Sequence, residues 1–184
     1  MDYNRSRRKW DNRGRGRYDN RNGSKDERNQ EKQQYKEYVN NLIDYVNKKD
    51  DMDIDTLTNL FKMDGIAYKL ADSMKGSIKA HQLRRFYDPV VYAYERMSAV
   101  GSSNKGEDIM NSLKIQLIKL IPQSHYAKMR IRNIESLSDL IDKGVNSVVG
   151  TRQASDFKTK LERFRDVLEA VIAYHKSDND SHRD

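Results

Sequence analysis

Three features of the sequence predict an all-α fold, a compact bundle of five to six helices. Apolar side chains recur at three- and four-residue spacings along most of the chain, which is the period of amphipathic helices. Only two prolines occur and glycines are sparse beyond residue 25, which suits helices joined by short loops and not a turn-rich β fold. Charged residues make up 34% and apolar ones 36%, so the core has to be assembled from narrow stripes on several helices. No strand alternation or internal repeat stands out. A chain of 184 residues can bury one real core and is short for two.

Residues 1–30 hold Arg7-Arg8-Lys9-Trp10 and Arg13-Gly14-Arg15-Gly16-Arg17-Tyr18 and almost no aliphatic side chain. Such a segment cannot offset its ordering entropy by burial, and a disordered basic N-terminal tail is expected. The helical-bundle domain is expected over 31–176, and 177–184 as a disordered C-terminus. A first helix from about Glu31 to Lys48 carries Tyr35, Tyr38, Val39, Leu42, Ile43 and Val46 on one stripe, and Asp50-Asp51-Met52-Asp53 breaks it. Thr56 to Lys75 continues as a helix divided near Asp64-Gly65, with Leu57, Leu60, Phe61, Ile66, Leu70 and Met74 inward and Gly76 as its end.

The next helix runs from a Ser77 cap to Met97 and organises the rest. Leu83, Phe86, Tyr87, Val90, Tyr94 and Met97 form its oily edge at ~100° per residue. His81, Arg85, Tyr92 and Arg96 lie opposite, with Arg84 at the border and Pro89 as an expected kink. Gly101–Gly106 is a loop. Glu107 to Ile121 turns Met110, Leu113, Leu117, Leu120 and Ile121 inward until Pro122 stops it, and Ser124 to Arg132 is a short helix. Ser136-Leu137-Ser138-Asp139 reads as the cap of a helix ending near Gly150. Ser155 caps a last helix from Asp156 to Lys176, striped by Phe157, Leu161, Phe164, Leu168, Val171, Ile172 and His175.

Several function classes fall away on residue supply. With no cysteine there is no disulfide frame, thiolate metal site or cysteine nucleophile. The four histidines, His81, His125, His175 and His182, show no metal-ligand spacing and no His-Asp doublet, and none follows an arginine by four to seven positions, as helical ribonucleases often require. His175 is read as a satisfied buried histidine. No phosphate-binding glycine loop follows a strand. The chain is expected to be no enzyme, to carry no catalytic residue, and to need no metal or cofactor. No apolar run nears the ~20 residues of a membrane span, and the basic N-terminus lacks a signal-peptide core. A cytoplasmic protein with no membrane partner is expected.

The net charge of +7 is uneven. Residues 1–30 hold ten Lys/Arg against five Asp/Glu, leaving 25 against 23 for the remainder. That asymmetry suits a polyanionic partner, nucleic acid above all, although a basic arm can also act purely as a solubiliser. Two further stretches mix cations with aromatics: Lys79 to Tyr87, and Lys119 to Arg132. Guanidinium groups grip phosphate in a bidentate fork, and a tyrosine can stack on an unpaired base. The bland alternative keeps Tyr126, Met129 and Ile131 in the core with the cations in solvent.

The chain resembles a known family in three of its stretches. They are Lys79-Ala80-His81-Gln82-Leu83-Arg84-Arg85-Phe86-Tyr87, Leu120-Ile121-Pro122-Gln123-Ser124-His125-Tyr126-Ala127-Lys128-Met129-Arg130, and Phe164 through Lys176 with its Glu169-Ala170-Val171-Ile172-Ala173-Tyr174-His175 signature. Together they are similar to the small subunit of type III-A CRISPR effector complexes, the Csm complex. The likeness covers roughly residues 35–176. A threonine or serine usual before the family's glutamine is replaced around Ala80-His81, and the Arg/Gly tail and the Gly101–Gly106 insertion lie outside the pattern.

The resemblance implies a non-catalytic bundle whose copies stack head to tail beside the backbone subunits, near the large subunit, holding target RNA paired to guide RNA in antiviral defence. Contacts to the RNA backbone are then expected from Lys79, Gln82, Arg84, Arg85, Lys119, Lys128 and Arg130, with Tyr126 packing or stacking. Sequence reading falls to base pairing in such guided systems. The rival expectation is a stand-alone RNA-binding or chaperone protein acting through its Arg/Gly-rich tail.

Overall fold

The amphipathic stripes wind into eight α-helices in the computed structural model, which describes residues 23–50, 52–100 and 106–176. They are α1 (Gly23–Asn47), α2 (Ile54–Phe61), α3 (Ile66–Ser73), α4 (Ala80–Ser98), α5 (Gly106–Ile118), α6 (Leu120–Arg130), α7 (Glu135–Val149) and α8 (Ala154–Lys176). Among the described residues there is no strand. Helices α2 and α3 are the two halves of the segment divided at Asp64-Gly65, and α5 and α6 are parted by Lys119 alone, so the eight helices fall into six segments of the sequence. The expectations for residues 1–22 and 177–184, and for most of the Gly101–Gly106 loop, lie outside the described residues.

Where the boundaries differ from expectation, backbone chemistry explains the shift. Helix α1 begins at Gly23, not about Glu31, since the sequence ahead of Glu31 is rich in strong helix formers. Asp53, expected as part of a breaker, is also the cap of α2: its carboxylate accepts the Thr56 N–H at 2.8 Å and the Thr56 hydroxyl at 2.7 Å. Those two bonds hold its carboxyl pKa below the usual value. Gly76 does close the α3 region, in the left-handed conformation at φ +75 that glycine adopts without penalty.

The cap of α4 is Lys79 and not Ser77. Gln82 Oε1 accepts the Lys79 backbone N–H at 2.9 Å, so a side chain three residues in replaces the expected hydroxyl. Pro89 stands inside α4, which runs on past it to Ser98. The α5–α6 break falls at Lys119, three residues before Pro122, because the proline ring excludes a helical carbonyl four residues back, at Ile118. Pro122 then sits in the first turn of α6, where its missing N–H costs nothing. Helix α7 starts behind Asn133, in the left-handed region at φ 60, with buried Ile134 at the cap position. Ser136 and Ser138, expected as capping residues, are instead buried within it. Ser155 lies inside α8, which begins at Ala154.

The residues divide into two units, Met1–Lys32 and Gln33–Asp184. In the second, one continuous core gathers the stripes of every helix, with Leu42, Leu70, Met74, Leu117, Leu140, Phe157, Leu161 and Phe164 buried. Helix α8 is its axis, packed most extensively on α4 and α3. Against α4, the Tyr94 hydroxyl donates to Glu162 Oε1 at 3.0 Å, while the Arg165 guanidinium lies 4.1 Å from the centre of the Tyr94 ring. Burial opposes the Arg165 charge, but its bonds to Asp166, 2.6 Å away, and to Tyr94 outweigh that and raise its pKa. Polar side chains tie α1 to α7, with Lys143 Nζ on Asn40 Oδ1 at 2.6 Å and Asn47 on Ser147 at 3.1 Å.

The α7–α8 crossing is close because Gly144 has no side chain. A Cβ there would fall 2.6 Å from Cδ2 of the buried Phe164 ring, and closer still to two other ring carbons. Beside α3, His175 is 1% exposed and, contrary to expectation, neither ring nitrogen makes a hydrogen bond of good geometry among the described residues. Burial pushes its pKa down, with the Ile78 and Met74 carbonyls opposing that shift.

Candidate nucleic-acid interface

The two basic stretches meet. Helix α4 packs chiefly on α8 and α5, and α6 packs chiefly on α7, so neither closes against the other and a groove of about 350 Å³ remains between them. The local sequence sets which side chains face it. On α4, Leu83, Phe86 and Val90 are buried, which leaves Gln82 and Arg85, three residues apart, on the flank. On α6, Leu120 and Ser124 are the buried residues, and the Ser124 hydroxyl donates to the Ile121 carbonyl at 2.8 Å and lies 3.3 Å from Ser138 Oγ of α7. That anchorage turns Gln123, Tyr126, Ala127 and Arg130 toward the groove at the spacing of one helical face.

The floor is apolar, made by Ile78, Phe86, Ala127 and Ile131. The rim is polar and cationic, with Gln82 and Arg85 from α4 and Gln123 and Arg130 from α6. No lining residue is acidic, and among the described residues no carboxylate pairs with Arg85 or Arg130. Tyr126 is 59% exposed, and the Arg130 guanidinium lies over its ring at 5.2 Å from the centre. Two unneutralised guanidiniums beside an exposed aromatic ring can take phosphate oxygens and a stacked planar group together.

Of the eight residues singled out from sequence, Gln82, Arg85, Tyr126 and Arg130 line this groove. Lys79, Arg84 and Lys119 are exposed but do not line it, standing at the start of α4, on its flank and at the α5–α6 joint. Lys128 points toward α7, its Nζ 3.9 Å from Asp139 Oδ1, and is partly neutralised there. Met129, which the bland alternative keeps in the core, is 86% exposed. Sequence reasoning missed Gln123 as a site residue, although it precedes Tyr126 by three and Arg130 by seven and so shares their face. It also missed that Phe86 and Ile78 serve both core and groove.

A second, broader groove of about 620 Å³ between α2 and α8 carries Asp166 and Glu169 and would repel phosphate. Among the described residues no group of acidic or histidine side chains is arranged to hold a metal ion. His81 is exposed, His175 is buried, and His125 Nε2 stands 3.7 Å from Asp142 Oδ2, beyond hydrogen-bond length. No described helix is long and apolar enough to cross a membrane.

Comparison with known families places the sequence among the components of CRISPR effectors. A model of the Csm2 Type III-A family matches residues 58–181, more than half of the chain, and the chain belongs to that family, the small subunit of the type III-A Csm complex. No match is found among curated proteins or among solved structures.

Proposed function

We propose that the α4–α6 face holds the sugar–phosphate backbone of target RNA paired to guide RNA, and that the chain is a non-catalytic subunit of its effector. The observation that carries this reading is the meeting of Arg85 and Arg130, from helices distant in sequence, on one groove without a carboxylate. Each guanidinium supplies a bidentate fork for phosphate. Lys79, Arg84 and Lys119 add positive potential along the approach, and Lys128 adds less because Asp139 shares its charge. Gln82 contributes its amide N–H donors, since its oxygen is engaged by Lys79. Copies stack along the backbone subunits next to the large subunit, so that successive grooves follow one duplex in the cytoplasm. Cations, amides and a tyrosine make up the polar part of this face, a set suited to holding RNA.

The test is an affinity titration of the full chain against a guide–target RNA duplex over a salt series. Each neutralised phosphate contributes about −0.7 to −0.9 to the log–log salt slope. Replacing Arg85 and Arg130 together with Ala should weaken binding and shallow the slope by about 1.5, with helicity by circular dichroism unchanged. An unchanged slope removes these arginines from the interface.

A further inference from the structure

We infer that the α4–α6 groove seats one unpaired RNA base, a reading that rests on the RNA-binding function proposed above and adds to it. Backbone contacts alone do not call for the cavity that is present. Phosphate needs cations and water, whereas Ile78, Phe86, Ala127 and Ile131 offer a floor that would strip water from a charged group and gain nothing. The face of a nucleobase matches that floor. The rim provides what a base needs besides: Tyr126 and Arg130 present two planar groups against which a base can lie, as unpaired RNA bases commonly do.

Base edges carry donors and acceptors, and the groove has amides at two points to meet them. Gln123 is exposed on α6, with a side-chain amide that offers both a donor and an acceptor. Gln82 is oriented by its bond to the Lys79 N–H, which commits its oxygen and leaves its N–H donors for a carbonyl on the base. At about 350 Å³ the groove lies at the small end of ligand sites, which span about 300–1,000 Å³, and has room for a base. With Arg85 and Arg130 at the rim, the flanking phosphates are gripped as the base enters. An apolar protein side chain as occupant would leave both guanidiniums without a counter-charge.

The experiment compares the affinity of the full chain for three RNA duplexes of equal length: fully paired, with a single-nucleotide bulge, and with the same bulge made abasic. The bulged duplex should bind about tenfold more tightly than the paired one, near the lower end of what one stacked base contributes, and the abasic bulge should lose that gain. Ala127→Leu fills the floor with a good helix former and should bring the bulged-to-paired ratio to one, with helicity retained. Tyr126→Ala should lower the same ratio. Equal binding of all three RNAs overturns the base seat and leaves the backbone reading standing. An abasic bulge that binds as tightly as the base-bearing one assigns the preference to duplex flexibility and overturns it too. A ratio untouched by Ala127→Leu places the base elsewhere, and failure to bind any of the three overturns this inference and the parent reading together.

Discussion

Replacing Gly144 with Ala tests the crossing on which the placement of α6 depends. At an exposed helix position this change would stabilise by about 1 kcal/mol through helix propensity. Here the new methyl would sit 2.6 Å from Cδ2 of Phe164, where carbon–carbon contacts relax only at about 3.5–4.0 Å. Phe164 is fully buried and has no solvent side into which to turn, so α7 must retreat from α8 by about 1 Å. Overpacking of this kind costs about 1–3 kcal/mol. Set against the propensity gain, the net loss is up to about 2 kcal/mol, or a Tm lower by up to about 8 °C for a domain of this size. Urea denaturation with an unchanged m-value measures it.

Phe164→Leu supplies the control for that result. Alone it opens a cavity, but in the double variant the methyl added by Gly144→Ala occupies part of it, so the two changes should couple by about 1 kcal/mol or more. Because Ser124 and Ser138 link α6 to α7, the Gly144→Ala protein should also bind RNA less tightly. Strict additivity, or a Gly144→Ala protein at least as stable as the original, would refute the close-crossing argument.

Three further outcomes follow from the same packing. His175 has its pKa lowered by burial, so the unfolded chain takes up its proton more readily than the folded one. Its contribution is therefore fully present above the unfolded value of about 6.5 and is lost as pH falls through the folded pKa, at no more than about 1.4 kcal/mol per pH unit. His175→Phe should flatten the fall in urea midpoint between neutral and mildly acidic pH, and an equally steep fall would assign it to other groups. Tyr94→Phe removes the hydroxyl bond to Glu162 and should cost about 1 kcal/mol in chemical denaturation, whereas a neutral result would make that bond energetically idle. Deleting residues 1–22 should leave most duplex affinity in place, since the groove arginines remain, and loss of all affinity would favour the rival account in which the Arg/Gly-rich arm binds RNA alone.

The stripes of α4 and α8 are legible in the sequence because burial repeats there at helical spacing over about four turns or more, and Leu83, Phe86, Val90, Phe157, Leu161 and Phe164 all face the core. Helix ends are less legible, because more than one residue type can satisfy an end. Gln82 caps α4 in place of Ser77, and Pro122 acts through the residue four positions before it. Ser136 and Ser138 are polar by type and buried in fact, since Ser138 meets Ser124 across the α6–α7 contact. The same limit applies to the site. Spacing alone puts Gln82 with Arg85, and Tyr126 with Arg130, on single helix faces. Nothing local brings Arg85 to Arg130, because α4 and α6 are held by different neighbours and the groove is the space those neighbours leave.

The most direct measurement of the central claim is the salt dependence of duplex RNA binding by the unaltered chain beside its Arg85→Ala/Arg130→Ala variant. If the α4–α6 face grips the RNA backbone, the double variant binds more weakly with a log–log slope shallower by about 1.5. Identical affinities and identical slopes for the two proteins would contradict it.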